Sequence, residues 1–255
     1  MNYYRFISKC IIALLFCIIG LMSCRDKIPT NEIHYTTIDN SVLPIKNLFY
    51  FGEGRIVSNS YVPDKNVCIL KLDKDVTEIE NRGFSACSSL KSITIPPSVT
   101  KIGDSAFCGC SSLTSITIPP SVTKIGDGAF SGCSSLTSMS IPTSVTEIGS
   151  CAFCSCSNLT SITIPESVTK IGELAFYGCS SLTSISIPPS VTEIGIAAFY
   201  GCSSLTSISI PESVKEIGKA AFDGCSSLTE VRIPNGCEVD EDAFKDCPNV
   251  QIIRY

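Results

Sequence analysis

The chain has 255 residues and a formal net charge of −5, with 44% hydrophobic residues, 16 cysteines, one histidine and no tryptophan. An acidic balance without any Lys/Arg cluster argues against nucleic acid, because phosphate binding needs basic charge gathered on one face, and it gives an anionic membrane surface no electrostatic hold. The chain also carries no GxxxxGK phosphate loop, no HExxH and no GxSxG, so these routes to phosphoryl, metal-assisted or acyl chemistry are closed and no cofactor is expected.

At the start of the chain, Arg5 and Lys9 precede and flank a 13-residue apolar run at 10–22, which ends in "LMSC" at 21–24. This is a secretory signal, and the run is shorter than the ~20 residues a spanning helix needs. A charged start, a short apolar core and a small residue before Cys24 resemble a bacterial lipoprotein signal, in which Cys24 is diacylated and becomes the first mature residue. Met22 fits that pattern less well than Ala or Thr, and an uncleaved anchor or an export signal cut elsewhere are the competing readings. Removing residues 1–23 takes away Arg5 and Lys9 and leaves 17 basic against 24 acidic side chains, a net charge of −7. The membrane link expected of such a chain is the lipid on Cys24, with a location in the cell envelope, at the outer membrane or cell surface.

Residues 24–34 are polar and contain a proline, and read as a tether. Residues 35–74 alternate apolar runs ("NLFYF", "VCILKLD") and read as an N-terminal cap, since an open solenoid end exposes apolar surface and unpaired strand edges. His34 stands beside this cap with no nucleophile near it in sequence, and reads as one of its surface residues rather than a catalytic base.

From there one phrase recurs. Phe84, Phe107, Phe130, Phe153, Phe176, Phe199 and Phe222 lie 23 residues apart and Phe244 follows 22 later, which is a solenoid signal. The unit at 98–120 places Val99, Ile102, Ala106, Phe107, Cys110, Leu113, Ile116 and Ile118 at inward offsets. Residues 113–118, "LTSITI", are β-branched and alternating, so they predict a short strand with one buried face, and Pro119 stops it because proline donates nothing to a ladder. "SVTKIG" predicts a second short extended piece, and "DSAFCGC" a single helical or 3₁₀ turn. One unit cannot bury its own apolar edge, whereas stacked units bury a continuous core. Residues 75–234 therefore predict one repeat solenoid, and residues 235–255, which keep Phe244, Cys247 and Val250 but add Asp240, Glu241, Asp242 and Asp246, a polar C-terminal capping repeat.

The motif LxxIxI is a leucine-rich-repeat signature. The full phrase "IPxSVTxIGxxAFxGCSSLTSI" resembles the BspA-like, or Treponema-type, leucine-rich-repeat proteins of bacteria, over residues 75–255. The lead-in before it is similar to that of members from gut Bacteroides. The resemblance implies a right-handed solenoid with a concave parallel β-sheet of short strands. It also implies surface attachment: binding of host matrix or plasma proteins, attachment to cells and aggregation with other bacteria.

Eight cysteines, Cys87, Cys110, Cys133, Cys156, Cys179, Cys202, Cys225 and Cys247, sit three residues after the repeat Phe and form a ladder. Equivalent β-carbons on adjacent rungs are about 4.8 Å apart, beyond the ~3.8 Å mean of a disulfide, so the ladder reads as small buried filler. Cys108, Cys151 and Cys154 break the pattern; they are too irregular for a metal site with four ligands, and a stray disulfide of Cys108 with Cys151 or Cys154 is a minor reading. Glu147, Glu193 and Glu216 share an offset with Lys101, Lys124 and Lys170, which reads as a solvated ladder of mixed charge.

If the strand buries Leu113, Ile116 and Ile118, its outward residues are Ser115 and Thr117, followed by Ser138 and Ser140, Ser161 and Thr163, Ser184 and Ser186, and Ser207 and Ser209. A hydroxyl can donate and accept, which suits sugar hydroxyls or peptide amides. The competing reading is that these hydroxyls keep an exposed sheet soluble and satisfy cross-strand partners. Tyr177 and Tyr200 fall on neighbouring units at a more variable offset, and are expected to pack on each other. Three functions remain open: contact with a host matrix or plasma protein or glycan through the hydroxyl face, a structural or self-associating module, and thiol redox or metal work.

Overall fold

The structure, a computed structural model, describes residues 28–44 and 54–255. The signal at 1–23, Cys24, the first part of the tether and residues 45–53 of the cap lie outside the described residues.

The repeats wind into a parallel β-solenoid in which each turn carries two short strands. The first ladder is uninterrupted: β4 (Glu78–Ile79), β6 (Lys101–Ile102), β8 (Lys124–Ile125), β10 (Glu147–Ile148), β12 (Lys170–Ile171), β13 (Glu193–Ile194), β15 (Glu216–Ile217) and β17 (Glu238–Val239) form one eight-stranded sheet. It is the "KIG" piece, with Lys or Glu outward at every rung and Ile inward at all but the last, where Val239 stands, and Lys101–Glu78 (3.8 Å) and Lys170–Glu193 (3.3 Å) pair across it. Such exposed pairs contribute little.

The second ladder is the "LTSITI" piece. It contains β5 (Leu90–Thr94), β7 (Ser115–Thr117), β9 (Ser138–Ser140), β11 (Ser161–Thr163), β14 (Ser207–Ser209), β16 (Glu230–Ile233) and β18 (Gln251–Arg254). The sequence predicts a strand in every unit, but the unit at 182–187 forms none. There the rung-to-rung bonds Thr183 N–H to Thr160 O and Thr206 N–H to Thr183 O stretch to 3.4 Å, against 2.9 Å for Thr114 to Lys91 and Thr229 to Thr206. The alternation survives: Ile185 is buried while Ser184 and Ser186 face out.

On the third side the expected helical turn is replaced by overlapping β-turns. Ala106, Cys108 and Cys110 donate back to Gly103, Ser105 and Phe107 of their own unit at 3.1–3.3 Å. The residues between them, Ser105, Phe107 and Gly109, donate at 2.7 Å to Asp127, Ala129 and Ser131 of the next unit. Half of the donors are thus committed to the neighbouring rung, and positive φ at Ser105 (53°) and Gly109 (72°) breaks right-handed propagation at both ends. Among the described residues the one helical element is a 3₁₀ turn at Pro63–Lys65.

Three sides enclose columns of identical residues. The eight repeat phenylalanines stack face to face, with centroids 5.2–5.5 Å apart and planes within 8°. Glycine in "KIG" is set by close approach: a β-carbon on Gly126 would lie 2.7 Å from the Asp104 nitrogen and the Gly103 carbonyl carbon of the preceding rung. Glu80 holds that place in the first unit, where β4 ends the ladder and no rung precedes it. The serine of "SVT" closes the corner, Ser121, Ser144, Ser167 and Ser190 each donating to a valine carbonyl of the preceding unit at 2.5–2.6 Å.

The lead-in is a sheet of opposite sense. β1 (Glu32–Thr37) runs antiparallel to β5 and to β3 (Val67–Leu72), which pairs in turn with β2 (Ile56–Val62). β1 thereby covers the first strand of the hydroxyl-bearing sheet, with Ile33, Tyr35 and Thr37 buried. It begins inside the segment read as tether: Glu32, Ile33 and His34 belong to the sheet, because Ile33 and Tyr35 alternate inward onto the core.

Candidate binding surface

All ten outward positions predicted on the second ladder, Ser115, Thr117, Ser138, Ser140, Ser161, Thr163, Ser184, Ser186, Ser207 and Ser209, are exposed. Parallel pairing in register sets them in two columns: Ser92 beside Ser115, Ser138 beside Ser161, Ser207 beside Glu230, with Thr94, Thr117, Ser140, Thr163, Ser209 and Arg232 alongside. Backbone geometry alone fixes this, since alternate residues of a strand share a face.

The sheet carries a third hydroxyl column, which sequence reasoning missed. Thr114, Thr160, Thr183, Thr206 and Thr229 each turn the side-chain hydroxyl onto the carbonyl of the preceding rung at 3.0–3.5 Å. These threonines are consumed in holding rung to rung. The ten predicted hydroxyls behave differently: none bonds to another protein group among the described residues. Cross-strand satisfaction therefore does not explain them. One neighbour is consumed by the cap, as Ser92 and Thr36 share a 2.7 Å hydrogen bond, so the free face starts at Ser115. At its far side Arg232 lies over the Tyr255 ring at 5.8 Å.

The other candidates sort themselves by environment. His34 is half-buried rather than on the open surface: its Nε2 meets the Glu32 carboxylate at 3.1 Å, and Lys71 approaches the same carboxylate at 3.5 Å. The His34 hydrogen bond first, against a smaller opposing effect of burial, holds the Glu32 carboxyl below its ordinary value. Tyr177 and Tyr200 stack on each other, as their spacing predicts, with centroids 5.0 Å apart and planes 8° from parallel.

The ladder cysteines are buried, as their spacing predicts. They are more than filler, because each thiol from Cys110 to Cys225 donates to the carbonyl of a phenylalanine 26 residues earlier: Cys110 to Phe84, Cys133 to Phe107, Cys156 to Phe130, at 3.1–3.3 Å. Burial pushes the Cys87 thiol up to about 11 and those of Cys156 and Cys202 to about 12. Such thiols are inert to exchange at neutral pH. No group of three or more His, Cys, Asp or Glu side chains suited to a metal ion occurs among the described residues, and no described helix is long and apolar enough to cross a membrane.

A family model for the BspA type leucine rich repeat region matches in six copies, over residues 55–179 and 146–255. The chain belongs to this family. A leucine-rich repeat protein from T. pallidum is 34% identical over 61% of this chain and 73% of its own, with a TM-score of 0.58. A leucine rich cell surface protein from Faecalibacterium prausnitzii is 30% identical over 71% of this chain and 64% of its own, TM-score 0.47. One from Bacteroides ovatus is 27% identical over 72% and 60%, TM-score 0.45. No curated protein matches the chain. BspA-type repeat proteins are leucine-rich-repeat proteins, a generally non-enzymatic class.

Proposed function

We propose that this BspA-type protein is a non-enzymatic surface lipoprotein, anchored through lipid on Cys24 at the outer membrane or cell surface, that binds a host matrix or plasma protein or a glycan. The contact face is the two columns from Ser115 and Thr117 to Ser207 and Ser209. The observation that carries this reading is that these ten hydroxyls are exposed and free of protein hydrogen bonds, while the threonine column beside them is spent on the backbone. Free hydroxyls at a regular spacing offer donors and acceptors to sugar hydroxyls or peptide amides. Each contact is weak, and repetition along the solenoid adds them as effective concentration does for linked sites.

The test is binding to arrays of matrix proteins, plasma proteins and mucin glycans, with a variant carrying Ser161→Glu, Thr163→Glu, Ser184→Glu and Ser186→Glu. These side chains face solvent, so the fold should tolerate the change. Saturable binding that the variant weakens at least about tenfold, 1.4 kcal/mol, supports the hydroxyl face. Absence of binding by a folded chain favours a structural or self-associating module instead.

A further inference from the structure

The solenoid's outer turn edge holds a pair of thiols that the binding reading does not use. Cys151 and Cys154 open and close one β-turn, in which the Cys154 N–H donates to the Cys151 carbonyl at 3.0 Å. A turn closed by this bond brings its first and fourth Cα within 7 Å, and a disulfide spans about 4.4–6.8 Å. The two residues between, Ala152 and Phe153, are fully buried in the core columns. Cys151 and Cys154 instead are partly exposed. The Cys154 sulfur is near enough to act on Cys151, whose pKa is raised first by burial and then by that neighbour. The turn is also anchored independently, since Cys151 N–H reaches the Glu173 carbonyl at 2.8 Å and Ser155 N–H the Tyr177 carbonyl at 2.7 Å. Joining the sulfurs leaves those rung bonds in place.

The geometry points to Cys151 and Cys154 as a dithiol–disulfide couple, an oxidisable site on the surface of the solenoid that exchanges with low-molecular-weight disulfides. One thiolate attacks a sulfur of the incoming disulfide, forming a mixed disulfide and releasing one small thiol. The second attacks the protein sulfur of that mixed disulfide and expels the other. Two protein S–H groups and one small disulfide become one protein disulfide and two small thiols, a two-electron oxidation of the protein balanced by reduction of the small molecule. Access, thiolate fraction and a nearby resolving cysteine govern such exchange; the raised pKa of Cys151 slows its attack, and access and the adjacent Cys154 set it apart from the buried ladder thiols.

The chain contains its own controls. Cys108 occupies the Cys154 position two units earlier, in the same kind of turn, where Cys108 N–H meets the Ser105 carbonyl at 3.1 Å. It is partly exposed but has serine where Cys151 would be. The ladder cysteines are buried, and from Cys110 onward their thiols are hydrogen-bonded.

The experiment incubates the full chain with oxidised glutathione at graded ratios to reduced glutathione. Free thiols are then alkylated under native conditions and each cysteine is assigned by peptide mass mapping. The expected result is that Cys151 and Cys154 leave the alkylatable pool together, their peptide lighter by two hydrogens and free of glutathione, while Cys108 stays free or carries a single glutathione. In Cys151→Ser, Cys154 should retain one glutathione, and in Cys154→Ser, Cys151 should do the same. Both substitutions install residues that earlier units already hold there, Ser105 two units back and Ser131 one unit back, and the wild-type measurement stands without them. Stable glutathione adducts on both cysteines of the wild-type chain overturn the proposal, as does retention of both thiols at a ratio where Cys108 reacts.

Discussion

Cys154 and Cys156 are two residues apart on the same turn and live in different chemistries. Cys156 faces inward, fully buried, its thiol on the Phe130 carbonyl at 3.2 Å. Cys154 is partly exposed, at an offset that other units fill with Cys108, Ser131, Tyr177, Tyr200 and a buried Asp223. Inside the solenoid the neighbour of every residue is its own copy one rung away. A residue type survives there only if it is complementary to itself: rings that stack flat, thiols that find a carbonyl, alanines that fill a fixed gap. Outside, the neighbour is water, and the offset is free to vary. Stability in this fold is therefore columnar and shared, while reactivity is local to one turn.

The strongest way to break that comparison is alkali. Burial raises the thiols of Cys87 to about 11 and of Cys156 and Cys202 to about 12, and pushes those of Cys110, Cys133 and Cys179 up as well. In the unfolded chain they ionise near the ordinary thiol value of about 8.5. Above that pH the unfolded state binds fewer protons than the folded one, so stability is full below it and falls as pH rises toward 12. Each such thiol contributes a slope of roughly 1.4 kcal/mol per pH unit, and the columns act together. Under reducing conditions the chain should unfold cooperatively between about pH 9 and 11, followed by circular dichroism. Stability unchanged to pH 11 would mean that the inner column is not dry.

A second test uses the ring column. Phe153 is stacked on both faces, by Phe130 at 5.5 Å and Phe176 at 5.4 Å, whereas Phe244 has a single stacking partner among the described residues, Phe222 at 5.2 Å. Phe153→Ala should cost about 3–5 kcal/mol in denaturant unfolding, and Phe244→Ala clearly less, since Phe244 is only partly buried. Equal costs would contradict a stability built from neighbour terms.

Much of this was legible from letters alone. The 23-residue period, the inward Phe, Leu and Ile columns, the proline stops and the outward hydroxyl pairs all follow from single-residue patterns that a solenoid merely stacks. What was not legible depends on the rung next door. The expected helical turn fails because Ser105, Phe107 and Gly109 give their N–H groups to a unit 22 residues on in sequence, and local propensity says nothing about a partner that distant. The bond from Cys110 to the Phe84 carbonyl, 26 residues back, is hidden for the same reason. The cap misled differently: Glu32 to His34 read as tether because the strand that pairs with all three, β3, comes at Lys71, Leu70 and Ile69, too far along the chain for a local pattern to announce it. The Cys151–Cys154 pair was within reach, since a spacing of three is visible, but only the turn geometry turns spacing into proximity.

The smallest expected effect is also the sharpest about function. Thr160 and Ser161 are adjacent and both exposed, yet Thr160 spends its hydroxyl on the Thr137 carbonyl at 3.0 Å while Ser161 spends its on nothing in the protein. Thr160→Val keeps the β-branched shape that suits the strand and removes one exposed hydrogen bond, a loss of about 0.5 kcal/mol. Ser161→Ala should leave the unfolding midpoint where it was. On a ligand that the hydroxyl face captures, the order reverses, with Ser161→Ala weakening binding and Thr160→Val leaving it intact. A ranking that stays the same in both measurements would mean that rung-to-rung support, rather than the free hydroxyls, governs the face.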